Sequence, residues 1–139
     1  MDIVQFIVTY LAALVVFLVI DFTWLGFIAQ KLYSQELGHL LSTKANGSLQ
    51  PKWLPAVIFY LLFVFGLLVL VVLPGLETSS LQTTLFKGAL YGLVTYATYD
   101  LTNLATLRDW SLKITLIDLA WGTILSTVVA FAAYTVGAL

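Results

Sequence analysis

Three aspartates, Asp21, Asp100 and Asp118, interrupt long apolar runs of this chain. A charged aspartate that faces lipid costs on the order of 3 kcal/mol, so we expect all three side chains to face the protein interior. Like charges that meet in a low dielectric cannot all ionise, and a shared proton or a bound cation would relieve their repulsion. Carboxylates within a membrane are the usual carriers of protons and cations. The pattern therefore predicts an intramembrane site.

Aromatic and amide side chains accompany the aspartates at helical spacing. Trp24 follows Asp21 by three residues, and the same interval separates Asp118 from Trp121. This repeated Asp-x-x-Trp spacing is compatible with chance or with an internal repeat. Indole, phenol and amide groups can all donate hydrogen bonds to a carboxylate. We thus predict a ligand, proton or cation site with eight members: Asp21, Trp24, Tyr96, Tyr99, Asp100, Asn103, Asp118 and Trp121.

The composition argues against a water-soluble domain. Only 9% of the 139 residues are charged and 61% are hydrophobic, whereas about a quarter of the residues in a soluble domain are charged. A net charge of −1 argues against a nucleic-acid partner. The chain has no cysteine and its only histidine is His39, which excludes thiol chemistry and a His-rich metal site. Neither a cofactor nor a resident metal ion is predicted.

The apolar runs predict an all-α integral membrane protein, a bundle of four transmembrane helices in a single domain of residues 1–139. The first run lacks a preceding basic segment, so we interpret it as a retained helix and not as a signal peptide. The second carries no charge and is expected to form a lipid-facing wall that ends at Pro74-Gly75. The predicted helices span about residues 3–30, 53–73, 84–107 and 112–137, with a cytoplasmic connection at 31–52.

Basic residues concentrate in two connections, which the positive-inside rule places in the cytoplasm. Connection 31–52 holds three lysines, and Arg108 and Lys113 flank the last turn. Both termini are then expected on the outer face. At 1.5 Å per residue, the three aspartates lie roughly 8 to 15 Å from the nearest cytoplasmic basic residue. Those depths are compatible with one layer of carboxylates in the cytoplasmic half of the membrane.

Three motifs resemble a known family. Residues 96–106 read YATYDLTNLAT, residues 118–122 read DLAWG, and residues 21–26 read DFTWLG. Together they resemble the signature of a bacterial membrane-protein family known as domain of unknown function 2177, over essentially the whole chain. The resemblance implies a small four-helix protein of the bacterial inner (plasma) membrane and brings no established activity.

Several functions fit these residues. The first is proton- or cation-linked transport of a small solute, which four helices would support most easily in a homo-oligomer. The second is a membrane-embedded binding protein for a lipid or another amphipathic ligand, with tryptophan and tyrosine as its apolar wall. The third is a lipid-modifying enzyme whose aspartates hold Mg²⁺ or exchange protons. It ranks lower because the chain has no recognisable nucleophile pair or phosphatase motif.

Two readings assign no chemistry to the aspartates. The chain could be an accessory subunit that binds a partner through its helix faces. Alternatively, the polar groups only tie helices together, at about 0.6 to 2 kcal/mol for each hydrogen bond. Three aspartates at similar depth, flanked by aromatic residues, favour a site. The partners expected from the sequence are membrane lipids, a second copy of the chain, and a small amphipathic ligand or cation.

Overall fold

The computed structural model describes residues 1–46 and 49–139, and its regular elements are helices. Gly47 and Ser48, which belong to the predicted connection 31–52, lie outside the described residues. The helices are α1 (Ile3–Thr23), which continues as a π-helical turn over Trp24–Ile28; α2 (Gln30–Leu37); α3 (Trp53–Leu67), which continues as a π-helical turn over Leu68–Val72; α4 (Leu73–Glu77); α5 (Leu81–Thr106); and α6 (Leu112–Gly137).

Short polar residues determine where three of the long helices begin. The Asp2 carboxylate accepts a hydrogen bond from the Gln5 backbone N–H at 2.8 Å, at the start of α1. Ser80 and Ser111 accept corresponding bonds at the first turns of α5 and α6. Such caps satisfy backbone donors that have no partner within the helix, which typically stabilises the helix by about 1 kcal/mol.

Three helical segments are long and apolar enough to cross a membrane, among the residues that the structure describes: Ile3–Ile28, Trp53–Glu77 and Leu112–Gly137. The protein is therefore a membrane protein built from helices. The fourth predicted span is present as α5, which has the same 26-residue length as α6 but is not among these three. Its sequence contains Lys87, Asp100 and six threonines, which lower its apolarity.

Helix 53–73 does not end at Pro74-Gly75, as the sequence predicted, because the helical path continues to Glu77. A π-helical turn precedes the proline and changes the hydrogen-bond register of the backbone. Pro74 then occupies the first turn of α4, where its missing N–H costs little. The chain turns only after Thr78, whose backbone N–H donates to the Pro74 carbonyl at 3.2 Å.

Helices α5 and α6 pack closely through a row of small residues. A Cβ atom on Gly88 would lie 2.9 Å from Ala130 Cβ, and one on Gly92 would lie 2.1 Å from the Gly122 carbonyl oxygen. Contacts at four-residue intervals on both helices indicate an antiparallel register. Gly88 and Gly92 therefore serve helix packing, since a side chain at either position would prevent this approach.

The two termini lie together at one end of the bundle, which we call the terminal end. Gln5 Nε2 donates to the Gly137 carbonyl oxygen at 3.0 Å, and Glu77 lines the same small pocket as these residues. Helix α2 and the turn at 107–111 lie at the opposite end, the connection end. There Ser111 Oγ donates to Glu36 at 2.8 Å and thereby joins α2 to the start of α6.

Candidate functional site

A cavity of about 480 Å³ lies in the half of the bundle nearer the connection end. Helices α1, α3, α5 and α6 contribute to its wall, and the connection after α1 adds Tyr33, Leu37, Leu41 and Leu49. Nine of its sixteen lining residues are aromatic: Trp24, Tyr33, Phe59, Tyr60, Phe63, Tyr96, Tyr99, Trp110 and Trp121. The only charged groups among the described lining residues are the carboxylates of Asp21 and Asp118. The cavity is thus mostly apolar, with two acidic groups in its wall.

Asp21 connects three helices through its two carboxylate oxygens. Its side chain is only 5% exposed. The Tyr60 hydroxyl on α3 donates to Oδ2 at 3.1 Å, and the Trp121 indole N–H on α6 donates to Oδ1 at 3.3 Å. These neutral donors replace some of the water that burial removes from the carboxylate. They also hold the carboxylate of α1 against α3 and α6.

Asp118 lies in the same cavity and is 8% exposed. Its Oδ1 accepts a hydrogen bond from the Tyr33 hydroxyl on α2. That hydroxyl in turn accepts a weak bond from the Trp24 indole N–H at 3.5 Å. A short polar chain therefore runs from α1 through α2 to α6. The connection after α1 therefore contributes a side chain, Tyr33, that hydrogen-bonds to a carboxylate of the cavity wall.

The two Asp-x-x-Trp segments face each other. The indole rings of Trp24 and Trp121 stack with centroids 4.3 Å apart and planes only 9° from parallel. Each tryptophan is linked to the aspartate of the other helix, Trp121 directly to Asp21 and Trp24 to Asp118 through Tyr33. The repeated spacing therefore places one Asp-x-x-Trp pair on each side of the interface between α1 and α6.

Asp100 lies outside this cavity. It has no exposed surface, and neither of its carboxylate oxygens has a hydrogen-bond partner within the described part of the chain. It continues the row of α5 residues, Gly88 and Gly92, that pack directly against α6. The antiparallel register that pairs Gly88 with Ala130 places Asp100 level with Asp118 along α6. The two aspartates thus share a depth but not a cavity.

The structure brings six of the eight predicted residues to the cavity wall and leaves two outside it. The six are Asp21, Trp24, Tyr96, Tyr99, Asp118 and Trp121. Asp100 and Asn103 do not line it. Within residues 1–46 and 49–139, no three acidic, histidine or cysteine side chains are close enough to hold a metal ion together. A single cluster of all three aspartates, which their similar depth suggested, is therefore not formed.

Two tyrosines that bind the aspartates were not among the predicted site residues. Tyr33 belongs to the connection 31–52, which the sequence predicted to lie in the cytoplasm. Tyr60 lies in the second apolar helix, which was expected to be a lipid-facing wall, although α3 lines the cavity with Phe59, Tyr60 and Phe63. One signal was available, because Tyr60 carries the only hydroxyl group in residues 53–73. A lone hydroxyl deep in an apolar helix requires a partner.

A layer of apolar side chains separates the cavity from the terminal end. It includes Phe17 of α1, Val64 and Leu67 of α3, and Leu125 and Val129 of α6, all fully or almost fully buried. Along α1, along α6 and along the continuous path of α3 and α4, the layer lies between the cavity residues and those of the small terminal pocket. On these helices the cavity therefore has an apolar floor.

A family model described as "predicted membrane protein (DUF2177)" matches residues 6–135. No curated protein and no solved structure matches the chain.

Proposed function

The chain belongs to the DUF2177 family of predicted membrane proteins, and we propose that it binds a small amphipathic molecule within the membrane. The observation that carries this proposal is the aromatic cavity with its two acidic groups. Ligand sites in proteins typically have volumes of about 300 to 1,000 Å³, apolar walls and a few polar groups that orient the ligand. The cavity has this size and this division of polar and apolar surface.

The polar and the apolar groups of the cavity wall would bind different parts of the ligand. Asp21 and Asp118 provide acceptors for a polar head, and the hydroxyls of Tyr33 and Tyr60 orient those carboxylates. The aromatic rings of the remaining wall provide contact area for an apolar part at little entropic cost, because each ring has few rotatable bonds. Four leucine side chains extend the apolar wall.

The apolar floor favours binding over transport. A proton or ion that crossed a single chain would need polar partners along its whole route. The layer around Phe17, Leu67 and Leu125 provides apolar surface between the cavity and the terminal end. We therefore rank a binding protein above the proton- or cation-linked transport that the sequence favoured, and above a lipid-modifying enzyme or an accessory subunit.

We further propose that α5 is a fourth membrane span. The termini lie together at one end of the bundle, and a chain whose ends share one side of a membrane crosses it an even number of times. With α1, α3–α4 and α6 as three spans, α5 supplies the fourth. One face of α5 carries its buried residues Thr84, Gly88, Gly92 and Asp100, and the two glycines of that face pack against α6. The positive-inside rule then places the connection end in the cytoplasm of a bacterium and both termini outside.

Native mass spectrometry of the protein extracted from its own membranes tests the proposal. We expect the wild type to carry a small amphipathic species. Trp121→Ala should lose at least tenfold of it, because one wall of the cavity is removed. Thr95→Phe, which fills the cavity from α5, should lose it as well. The matched control is Trp53→Ala, since Trp53 is 60% exposed and lies outside the cavity wall.

Thermal melting of each variant shows whether it is folded. If Trp121→Ala does not fold, Thr95→Phe still tests whether the cavity binds the ligand. The proposal is wrong if folded Thr95→Phe keeps every species that the wild type carries. It is equally wrong if the wild type carries no bound species and none can be loaded from extracted lipids.

A further inference from the structure

The charges of the cavity wall are unbalanced. Asp21 and Asp118 line it, and no lysine, arginine or histidine is present among its described lining residues. The basic residue nearest to Asp118 in sequence is Lys113, whose side chain is 63% exposed with Nζ 4.0 Å from Glu36. That lysine lies at the connection end and pairs with a different carboxylate. The residues that the structure describes therefore place no positive charge in the cavity wall.

The hydrogen bonds to the two aspartates come from neutral groups. Asp21 accepts from a tyrosine and a tryptophan, and Asp118 accepts from Tyr33. Neutral donors restore some of the solvation that burial removes, but they do not cancel the charge. Two carboxylates that share one low-dielectric cavity also repel each other. A cation placed between them would lower the energy of both.

The aromatic wall favours an organic cation over a metal ion. Calcium takes six to eight oxygen ligands and magnesium requires close to octahedral oxygen geometry. The described residues contain no cluster of three acidic, histidine or cysteine side chains that could provide such a site. An ammonium group, in contrast, is attracted to the faces of tryptophan and tyrosine rings within about 6 Å. Nine aromatic residues and two carboxylates form that kind of environment.

We propose that the ligand of this cavity is a lipophilic organic cation, an amine or quaternary ammonium whose head lies between Asp21 and Asp118 and whose apolar part lies against the aromatic wall. This inference rests on the proposed binding function and assigns the charge of the ligand. Asp118 is joined to Tyr33 on α2, and the cavity lies near the connection end. The cationic head is therefore expected on that side and the apolar part toward the floor at Phe63.

The experiment compares three probes of nearly equal shape and different charge on the full-length protein in lipid nanodiscs. They are benzyltrimethylammonium, its uncharged carbon isostere neopentylbenzene, and the benzylsulfonate anion. Binding is followed by tryptophan fluorescence, because Trp24 and Trp121 line the cavity. We expect the cation to bind at least tenfold more tightly than the uncharged isostere, and the anion not to bind.

The variants separate charge from shape. In Asp21→Asn with Asp118→Asn, the cation should lose its tenfold preference while the uncharged isostere still binds. Asp118→Asn alone should reduce the preference at least threefold. This single variant tests the assignment of charge if the double variant does not fold. The matched control is Asp109→Asn, an exposed carboxylate in the turn before α6, which should keep the full preference.

The outcomes distinguish this inference from the function on which it rests. If the uncharged isostere binds as tightly as the cation and Thr95→Phe excludes both, the cavity binds ligands but the assignment of a cation is wrong. A preference for the cation that is undiminished in folded Asp118→Asn also overturns the assignment. If Thr95→Phe changes the binding of neither probe, the proposed function of the cavity is wrong as well.

Discussion

Buried aspartates in this protein occur in two contrasting environments. Asp21 has a hydrogen-bond donor on each oxygen, from Tyr60 and from Trp121. Asp100 is equally buried, but both of its oxygens lack a partner among the described residues. An unsatisfied buried polar group costs roughly 1 to 3 kcal/mol, whereas a satisfied one contributes a little to stability. Asp21 should therefore stabilise the fold and Asp100 should not.

Replacing each aspartate by valine tests this contrast with one substitution at two sites. Asp21→Val leaves the Tyr60 and Trp121 donors without their acceptor and should lower the free energy of unfolding by about 1 to 3 kcal/mol for each donor left unpaired. Asp100→Val removes two unpaired acceptors and should leave the stability unchanged or higher. Unfolding in mixed micelles by a denaturing detergent measures both. Equal destabilisation by the two variants would contradict this contrast. It would mean that the Asp100 carboxylate has hydrogen-bond partners in the membrane protein, such as water.

Helices α5 and α6 are joined by close contact at small residues. Gly92 lies against the backbone of Gly122, and the Tyr96 ring, one turn farther along α5, also lies against Gly122. In a membrane, where burial of apolar surface offers little gain, such close packing provides dispersion contacts that hold helices together. This packing also positions the cavity, because Tyr96 and Tyr99 on α5 line it opposite Trp121 on α6.

Gly92→Ala should therefore disrupt the pair. Its Cβ would lie 2.1 Å from the Gly122 carbonyl oxygen, and a backbone atom cannot move aside as a side chain can. Overpacking of this kind costs typically 1 to 3 kcal/mol, and we expect a loss in that range. The matched control is Gly26→Ala, because a Cβ at Gly26 would have no atom within 4 Å. Thermal melting in detergent measures both, and equal melting temperatures for the two variants would contradict the packing described.

Across the whole molecule, α1, α6 and the continuous helical path of α3 and α4 pass through the same three layers. The cavity lies nearest the connection end, the apolar layer follows, and the small pocket at the termini lies at the opposite end. In the proposed orientation, with the connection end in the cytoplasm, the cavity lies in the cytoplasmic half of the membrane.

Cysteine labelling tests the four crossings and their direction, since the chain has no cysteine of its own. We place single cysteines at Glu77 and Leu139 near the terminal end, and at Ser42 and Asp109 near the connection end; all four positions are exposed. A membrane-impermeant maleimide should label the first two in intact spheroplasts and the other two only after permeabilisation.

The position at Asp109 decides whether α5 crosses the membrane. If α5 did not cross, Asp109 would lie on the same side as Glu77 and would be labelled in intact spheroplasts. Leu139 would then be protected, because α6 would end in the cytoplasm. That pattern would contradict the proposed fourth span and leave the three apolar helices as the only crossings.

Much of the fold was predictable from the order of the residues, because lipid restricts what the chain can do. Uninterrupted apolar runs must form helices that satisfy their own backbone hydrogen bonds, so the long helices and their connections follow from composition. The family was recognisable from YATYDLTNLAT and the two Asp-x-x-Trp segments, and the family match over residues 6–135 confirms it. The end of the second helix was predicted incorrectly, since a π-helical turn before Pro74 is not visible in a uniformly apolar sequence.

The sequence also indicated that the three aspartates would be buried, whereas only the packing of the helices decided which of them line the cavity. An aspartate in an apolar run has to avoid lipid, and its distance from a basic residue estimates its depth, so Asp21, Asp100 and Asp118 were expected in one layer. Depth says nothing about direction around a helix axis. Helix packing turned Asp118 into the cavity and enclosed Asp100 between α5 and α6. Helix packing also brought Tyr60, from a helix that is otherwise uniformly apolar, to Asp21. The sequence does not show this contact, because side-chain partners depend on which helix faces meet in space.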